Sequence, residues 1–282
     1  ASESILNILA DMHSADIAEI INRMRVDDGS YIFNLLDNET ASEVITEIDE
    51  ELREKILQNV DKNKLTDIVD ELDSDDATDL LSELPDTVAE HVLTNIDKEY
   101  SEDVKELLKY PEDSAGGIMN SDFVSISHTA TIEDAINEIR KFSEEIDHIF
   151  QIYVLKPDEE LIGVVLLKTL LIHPLHTKIT EVMEEDLIYV TVDMDQEQVA
   201  NIMEKYDLVA VPVVNEKKQM LGRITVDDII DVIQEEASED IQKMAGLSEE
   251  EETSYSAFRV SRIRLPWLLV ALTGQLVSAI VL

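Results

Sequence analysis

The stretch Ile118–Phe142, IMNSDFVSISHTATIEDAINEIRKF, is answered further along the chain by Val182–Tyr206, VMEEDLIYVTVDMDQEQVANIMEKY. Each is followed by two apolar, β-branched runs: IFQIYVL (Ile149–Leu155) and LIGVVLLKTLL (Leu161–Leu171) in the first copy, LVAVPVV (Leu208–Val214) and MLGRITVDDII (Met220–Ile230) in the second. Met119 aligns with Met183, Thr131 with Asp195 and Gly163 with Gly222, so residues 118–233 hold an internal duplication. Each copy reads as a short strand, a helix opened by a Thr or Asp cap, two strands joined by a turn, and a closing helix. The order is β-α-β-β-α.

Upstream of the duplication, the first 110 residues repeat another theme, in which apolar residues recur at helical spacing: IAEIINRM from Ile17, VITEID from Val44, LTDIVDEL from Leu65, ATDLLSEL from Ala77 and AEHVLTNI from Ala89. LDSDDA at Leu72 and PDTVAE at Pro85 put Asp, Ser or Pro where helix starts want them. Short amphipathic helices of this kind bury their faces on one another, which predicts a HEAT-like superhelical stack. The segment YPEDSAGGIM (Tyr110–Met119), with Pro111 and the pair Gly116–Gly117, punctuates the chain and marks a domain boundary. The fold class is therefore α plus α/β.

The 282 residues carry 22 basic and 63 acidic side chains, a formal charge of −41. Every acidic residue precedes Thr253 and only Arg259, Arg262 and Arg264 of the basic ones follow it, so residues 1–252 carry −44. That sign excludes nucleic acid as a partner, because phosphate binding needs the opposite one. With 44% hydrophobic residues in clear periodicity, the acidic composition does not mean disorder. The absence of cysteine removes disulfides, thiolate zinc sites and cysteine nucleophiles together. The N-terminus, ASESILNILADMHSADI, reads as an acidic amphipathic helix and not as a signal peptide. From Leu265 to Leu282, LPWLLVALTGQLVSAIVL is free of charge, with Trp267 near its start and three arginines before it. Its length, aromatic and flanking cations predict the beginning of a membrane span, with everything before it on the cytoplasmic side. A buried terminal helix of a soluble domain is the alternative.

The most informative polar stretch is TVDDIIDVIQEEASEDI, Thr225–Ile241. On a helix, Asp228, Asp231 and Glu235 recur at spacings of three and four, as do Glu236, Glu239 and Asp240. Like charges so placed repel by roughly a few tenths of a kcal/mol per pair, a cost that divalent cations would remove. Carboxylates with no histidine or cysteine nearby are hard oxygen donors, suited to Mg²⁺ or Ca²⁺, and Mg²⁺ would be held by one or two of them plus water. An acidic solvated helix face that binds nothing is the plain alternative. No catalytic constellation is visible: His13, His91, His128, His148, His173 and His176 are scattered, Pro174 makes IHPLH a turn, and no Gly-rich phosphate loop occurs. The chain does not read as an enzyme.

The duplicated unit resembles the tandem CBS domain, and the whole order of acidic helical domain, YPEDSAGGIM linker, CBS pair, acidic run and RLPWLLVALTGQLVSAIVL resembles the cytosolic region of MgtE-type magnesium transporters. The resemblance implies a helical N domain over 1–113, CBS domains over 114–178 and 179–237, a connecting (plug) helix over 238–262 and a truncated first transmembrane helix over 263–282. It implies a homodimer in the cell membrane, this region cytoplasmic, closing the pore when intracellular Mg²⁺ is high. Its Mg²⁺ ligands carry over to Asp228, Asp231, Glu236, Glu239 and Asp240 after the second CBS unit, to Glu197 and Asp207 within it, and to Asp75 and Asp79, with Glu43, in the helical domain. For Asp75 and Asp79, helix capping and first-turn dipole stabilisation compete with metal binding. Nucleotide-binding CBS units carry Gly-x-hydrophobic-Thr/Ser-x-x-Asp, which Gly222, Ile224, Thr225 and Asp228 match; Gly163, Val165, Leu166 and Thr169 in the first copy have lost both polar positions. At most one site per chain for ATP or another adenine nucleotide follows, with N-capping of the closing helix the alternative role for Thr225. An adenine-nucleotide sensor and an acidic protein-interaction scaffold are the competing functions.

Overall fold

The structure is a computed structural model that describes residues 8–143, 146, 148–244 and 273. Contacts divide the chain into two compact units, Ala1–Val226 and Asp227–Leu282. Among the described residues there are twelve α-helices and two three-stranded sheets.

Eight helices come first: α1 (Ser14–Asn22), α2 (Val26–Leu35), α3 (Asn38–Thr46), α4 (Glu50–Leu57), α5 (Lys62–Asp70), α6 (Ser74–Ser82), α7 (Asp86–Asn95) and α8 (Lys98–Leu107). Their N-cap positions are His13, Arg25, Asp37, Asp49, Asp61, Asp73, Pro85 and Asp97, each twelve residues after the last. The period is a helix of two and a half turns plus its corner. At the capped starts an Asp oxygen takes an N–H that the helix leaves orphaned: Asp37 from Thr40 at 2.9 Å, Asp61 from Asn63 at 2.9 Å and Asp97 from Glu99 at 2.8 Å. Counting from each cap, the seventh and eighth positions are apolar in every repeat but the last, and the eleventh is apolar in all eight: Met24, Leu36, Ile48, Val60, Leu72, Leu84, Ile96 and Leu108. Most of these positions fill one continuous core, in which Phe33, Ile45, Ile56, Ile68 and Val92 are wholly buried, while Met24 in the first repeat and Leu108 in the last are exposed. Helices pack on the next but one (α1 on α3, α3 on α5, α5 on α7, α2 on α4, α6 on α8), which is the superhelical stack expected.

The duplicated region gives two copies of one unit. The first runs β1 (Ser125–Ser127), α9 (Ile132–Phe142), β2 (Gln151–Leu155), β3 (Leu161–Leu166) and α10 (Leu167–Ile172); the second runs β4 (Val190–Thr191), α11 (Gln196–Tyr206), β5 (Ala210–Val214), β6 (Met220–Thr225) and α12 (Val226–Met244). In both sheets the short first strand pairs parallel with the second, and the second antiparallel with the third. The expected caps form: Thr131 and Asp134 make a reciprocal capping box on α9, and Asp195 accepts from the N–H groups of Glu197 and Gln198 on α11.

The copies clasp each other reciprocally. Asn120, in the segment leading into copy one, exchanges backbone hydrogen bonds of 2.8 and 2.9 Å with Arg223 of β6; Glu184, leading into copy two, exchanges bonds of 2.9 and 3.1 Å with Val164 of β3. Beside each exchange a methionine lies over a glycine, Met119 over Gly222 and Met183 over Gly163. Tyr153, Leu161 and Val164 from one copy and Val214 and Met220 from the other close a shared apolar core.

Candidate functional site

Within Ala1–Val226 the helical stack meets the CBS-like pair at a defined polar joint. Ser74, the first residue of α6, is fully buried. Its hydroxyl donates to the Asn120 side-chain oxygen at 3.2 Å and accepts from Ser121 N–H at 2.8 Å and Ser121 Oγ–H at 2.9 Å, using its one proton and both lone pairs. The Asn120 oxygen also accepts from Asp122 N–H at 2.7 Å. Since Asn120 is bonded through its backbone to β6, one residue ties the start of α6 to both CBS copies.

Carboxylates gather around this joint. The Tyr100 hydroxyl donates to the carbonyls of Leu72 at 2.6 Å and Asp73 at 3.2 Å, at the corner where α6 begins. Burial, and then the charges of Asp122, Asp73, Asp75 and Asp76, push the Tyr100 phenol far above its ordinary range. Negative charge from the helical stack and from the CBS segment thus converges on one hydroxyl. Asp75 is buried in the first turn of α6, its carboxylate accepting from Asp76 N–H at 3.1 Å; Asp79 is exposed one turn on. The cap position of α6 is Asp73, so neither Asp75 nor Asp79 is the cap residue. Asp79 also faces a cation of its own chain: burial works against the charge of Arg53, but Glu83, Glu50 and Asp79 more than offset it and raise its pKa.

The other sequence-derived candidates are distributed. Glu43 is exposed on α3. Glu197 is exposed in the first turn of α11, and Asp207 closes the same helix in the left-handed conformation at φ 51°. Thr225, the last residue of β6, is buried. On α12, Asp228 is half-buried, Asp231 exposed and Glu236 half-buried, while Glu239 and Asp240 fall within the helix span. Partial desolvation, and then the charge of Asp227 one turn earlier, raise the Asp231 carboxyl above its ordinary value. Ile229 and Val232 of α12 are buried, whereas Ile230, Ile233 and Ile241 are exposed. Among the described residues no three Asp, Glu or His side chains come close enough to enclose a metal ion. All the metal candidates are carboxylates, hard oxygen donors of the kind that Mg²⁺ takes. Among the described residues no helix is long and apolar enough to cross a membrane. The expected connecting helix beyond residue 244 and the apolar run 265–282, Thr273 aside, lie outside the described residues.

Sequence reasoning passed over the joint itself. Ser74, Tyr100, Asn120 and Asp122 carry no motif; only the position of Ser74 at a helix start and the proximity of Asn120 to the domain boundary pointed there.

A helical superhelix tied to a duplicated β-α-β-β-α pair is the architecture of an N-terminal helical domain joined to a tandem CBS module. Residues 12–113 match the MgtE intracellular N domain family, and residues 115–175 and 179–235 match the CBS domain family. The chain is 34% identical over 190 residues to magnesium transporter MgtE of Thermus thermophilus, a match covering 66% of this chain and 42% of that protein. It is 37% identical over 185 residues to magnesium transporter MgtE of Enterococcus faecalis, covering 64% of this chain and 41% of that protein. Among solved structures, the cytosolic domain of the Mg²⁺ channel MgtE in complex with ATP superposes with a TM-score of 0.78 at 28% identity, covering 82% of this chain and 95% of that one. The soluble part of a magnesium transporter gives a TM-score of 0.75 at 29% identity, with 84% and 93% covered. The chain belongs to the MgtE family and corresponds to its cytosolic part. It spans about two-fifths of the length of these curated relatives.

Proposed function

We propose that this chain is the Mg²⁺-sensing regulatory region of a magnesium transporter or channel, cytoplasmic in location, and that it acts in a homodimer beneath a membrane pore. The observation that carries the reading is the joint where buried Ser74 at the start of α6 bonds Asn120 and Ser121, with the buried carboxylate of Asp75 next to it and the charges of Asp73, Asp76 and Asp122 acting with it on Tyr100. At low Mg²⁺ these like charges load the joint between the two parts. At high Mg²⁺, ions at Asp75, Asp79 and the acidic positions Glu43, Glu197, Asp207, Asp228, Asp231, Glu236, Glu239 and Asp240 relieve the load and favour the compact arrangement, which holds the pore shut. The ions must bind the compact form more tightly than the open one, since equal affinity shifts nothing.

Titration of the chain with Mg²⁺ under small-angle scattering and limited proteolysis tests this. Compaction and protection at millimolar Mg²⁺, lost when Asp75 and Asp79 are changed to Asn, are expected. Scattering and cleavage indifferent to Mg²⁺ would sink the sensor reading. A second reading, adenine-nucleotide sensing at Thr225 and Asp228, is favoured by the buried hydroxyl of Thr225 at the end of β6 and by the ATP bound to the superposed relative. ATP binding in the presence of chelator separates it from ion sensing.

A further inference from the structure

We propose that Arg223 is an anion-binding residue that takes a phosphoryl group where the two CBS copies meet; this deepens the nucleotide reading by naming the group held and the side chain that holds it. Arg223 sits in the middle of β6 and is only 6% exposed. Its Nη1 donates to the carbonyl of His148 in the first copy, and its Nε is buried with no hydrogen-bond partner. Arg223 makes no ion pair with any described carboxylate. Its charge acts on the wholly buried Tyr153, and its partner across the sheet is Pro212. In a chain with 63 acidic residues, an arginine nine-tenths buried and lacking a described carboxylate partner is conspicuous.

The duplication supplies an internal control. Residue for residue, Val164 of β3 occupies the place of Arg223: each exchanges backbone bonds with the segment leading into the other copy, and Val164 is 7% exposed. The fold is therefore built at that position with an aliphatic side chain, and the guanidinium is not required for packing. Burying it costs several kcal/mol unless an anion compensates. Guanidinium offers a planar fork of donors matched to phosphate oxygens, and Nε is the donor of that fork left over here. Thr225 projects from the same face of β6, two residues on, and is buried to the same extent. A phosphoryl group beside β6 therefore meets a cationic fork, with a hydroxyl next along the strand.

Inorganic pyrophosphate, ATP and adenosine, each added in chelator and at ionic strength matched with sodium chloride, test the proposal by thermal melting of the whole chain. Pyrophosphate and ATP are expected to raise the midpoint of the wild type. Arg223→Met, which removes the charge but keeps much of the volume, is expected to melt at or above the ligand-free wild type and to bind pyrophosphate roughly tenfold to a hundredfold more weakly. Should that variant fail to fold, the Nε–H resonance of Arg223 in the wild type, assigned by its loss in Arg223→Lys, must move on adding pyrophosphate. An Arg223→Met midpoint shift equal to the wild type's, or a wild type that answers pyrophosphate no more than chloride, overturns the proposal. Stabilisation by adenosine alone, equal in both chains, leaves the adenine reading standing and removes Arg223 from it. Stabilisation by pyrophosphate that depends on Arg223 and gains nothing from the adenosine moiety keeps the anion site and removes the adenine.

Discussion

Replacing Gly222 by alanine should damage the protein far more than replacing Gly163, although the two occupy equivalent places in the duplication. A Cβ on Gly222 would stand 2.6 Å from the carbonyl oxygen of Asn120, where ordinary contact begins at 3.4 Å. The Asn120 backbone must then retreat by about 0.8 Å, or β6 must. Either movement stretches the two bonds of 2.8 and 2.9 Å between Asn120 and Arg223 and pulls on the Ser74 contact. Overpacking costs about 1–3 kcal/mol and each strained backbone bond up to about 1 kcal/mol, offset by about 0.5 kcal/mol for the stiffer unfolded chain. The net expectation is a loss of about 3 kcal/mol. At Gly163 the new Cβ meets the Met183 thioether at 2.7 Å, and a methionine side chain can rotate aside for about 1 kcal/mol or less. Urea unfolding followed by far-UV circular dichroism, with hydrogen exchange at the Asn120 and Arg223 amides, measures the difference. Equal midpoints for the two variants, or a larger loss for Gly163→Ala, would refute the claim that backbone rather than side chain fills the space at Gly222.

The Arg53–Glu83 pair, with both side chains less than one-fifth exposed, should show strong coupling: either single change, Arg53→Met or Glu83→Leu, costs about 2–4 kcal/mol by stranding a charge, and the double variant recovers most of it, as a double-mutant cycle will read. Asp37→Ala should cost about 1 kcal/mol at neutral pH through loss of the α3 cap. The backbone hydrogen bond from Thr40 holds the Asp37 carboxyl below 3.8, so its contribution is complete above that value and disappears as pH falls through the lower folded one; melting curves of variant and wild type should converge there. Tyr100→Phe, which strips the Leu72 and Asp73 carbonyls of their donor, should lower stability by about 1–2 kcal/mol and speed hydrogen exchange at the first turn of α6.

The duplication, its strand and helix order and the caps at Thr131 and Asp195 were legible because both copies state them, so each confirms the other's turns. The helical part was read less completely. The quoted runs locate α1, α3, α5, α6 and α7, but α2, α4 and α8 were passed over. In α2 the apolar pattern is broken by Gly29, where a Cβ would stand 3.2 Å from the Ile21 side chain, and in α4 the buried face is interrupted by Arg53. The twelve-residue period is written in the cap column, but His13, Arg25 and Pro85 stand where Asp does elsewhere, which hides it from composition. The candidate ligands were chosen by resemblance and spacing, and the described fold sets them on α3, α6, α11 and α12 with no enclosing cluster among them. Dispersed carboxylates leave no local signature, so only three-dimensional structure singles out the joint at Ser74, Asn120 and Tyr100.

The period of the helical stack also dictates how this part of the chain tolerates changes in length. Because every helix and corner together take up one unit of twelve residues, and each helix rests on the one two units away, a single-residue insertion within a helix rotates everything after it by about 100° and turns the buried stripe outward. Excision of one whole unit restores the stripe but exchanges the two rows of helices. Removal of two consecutive units, a block of 24 residues, keeps both the stripe and the rows and shortens the stack by one layer. Natural length variants of this region should therefore differ by that quantum, and a ladder of engineered deletions should fold at each such step and fail between them.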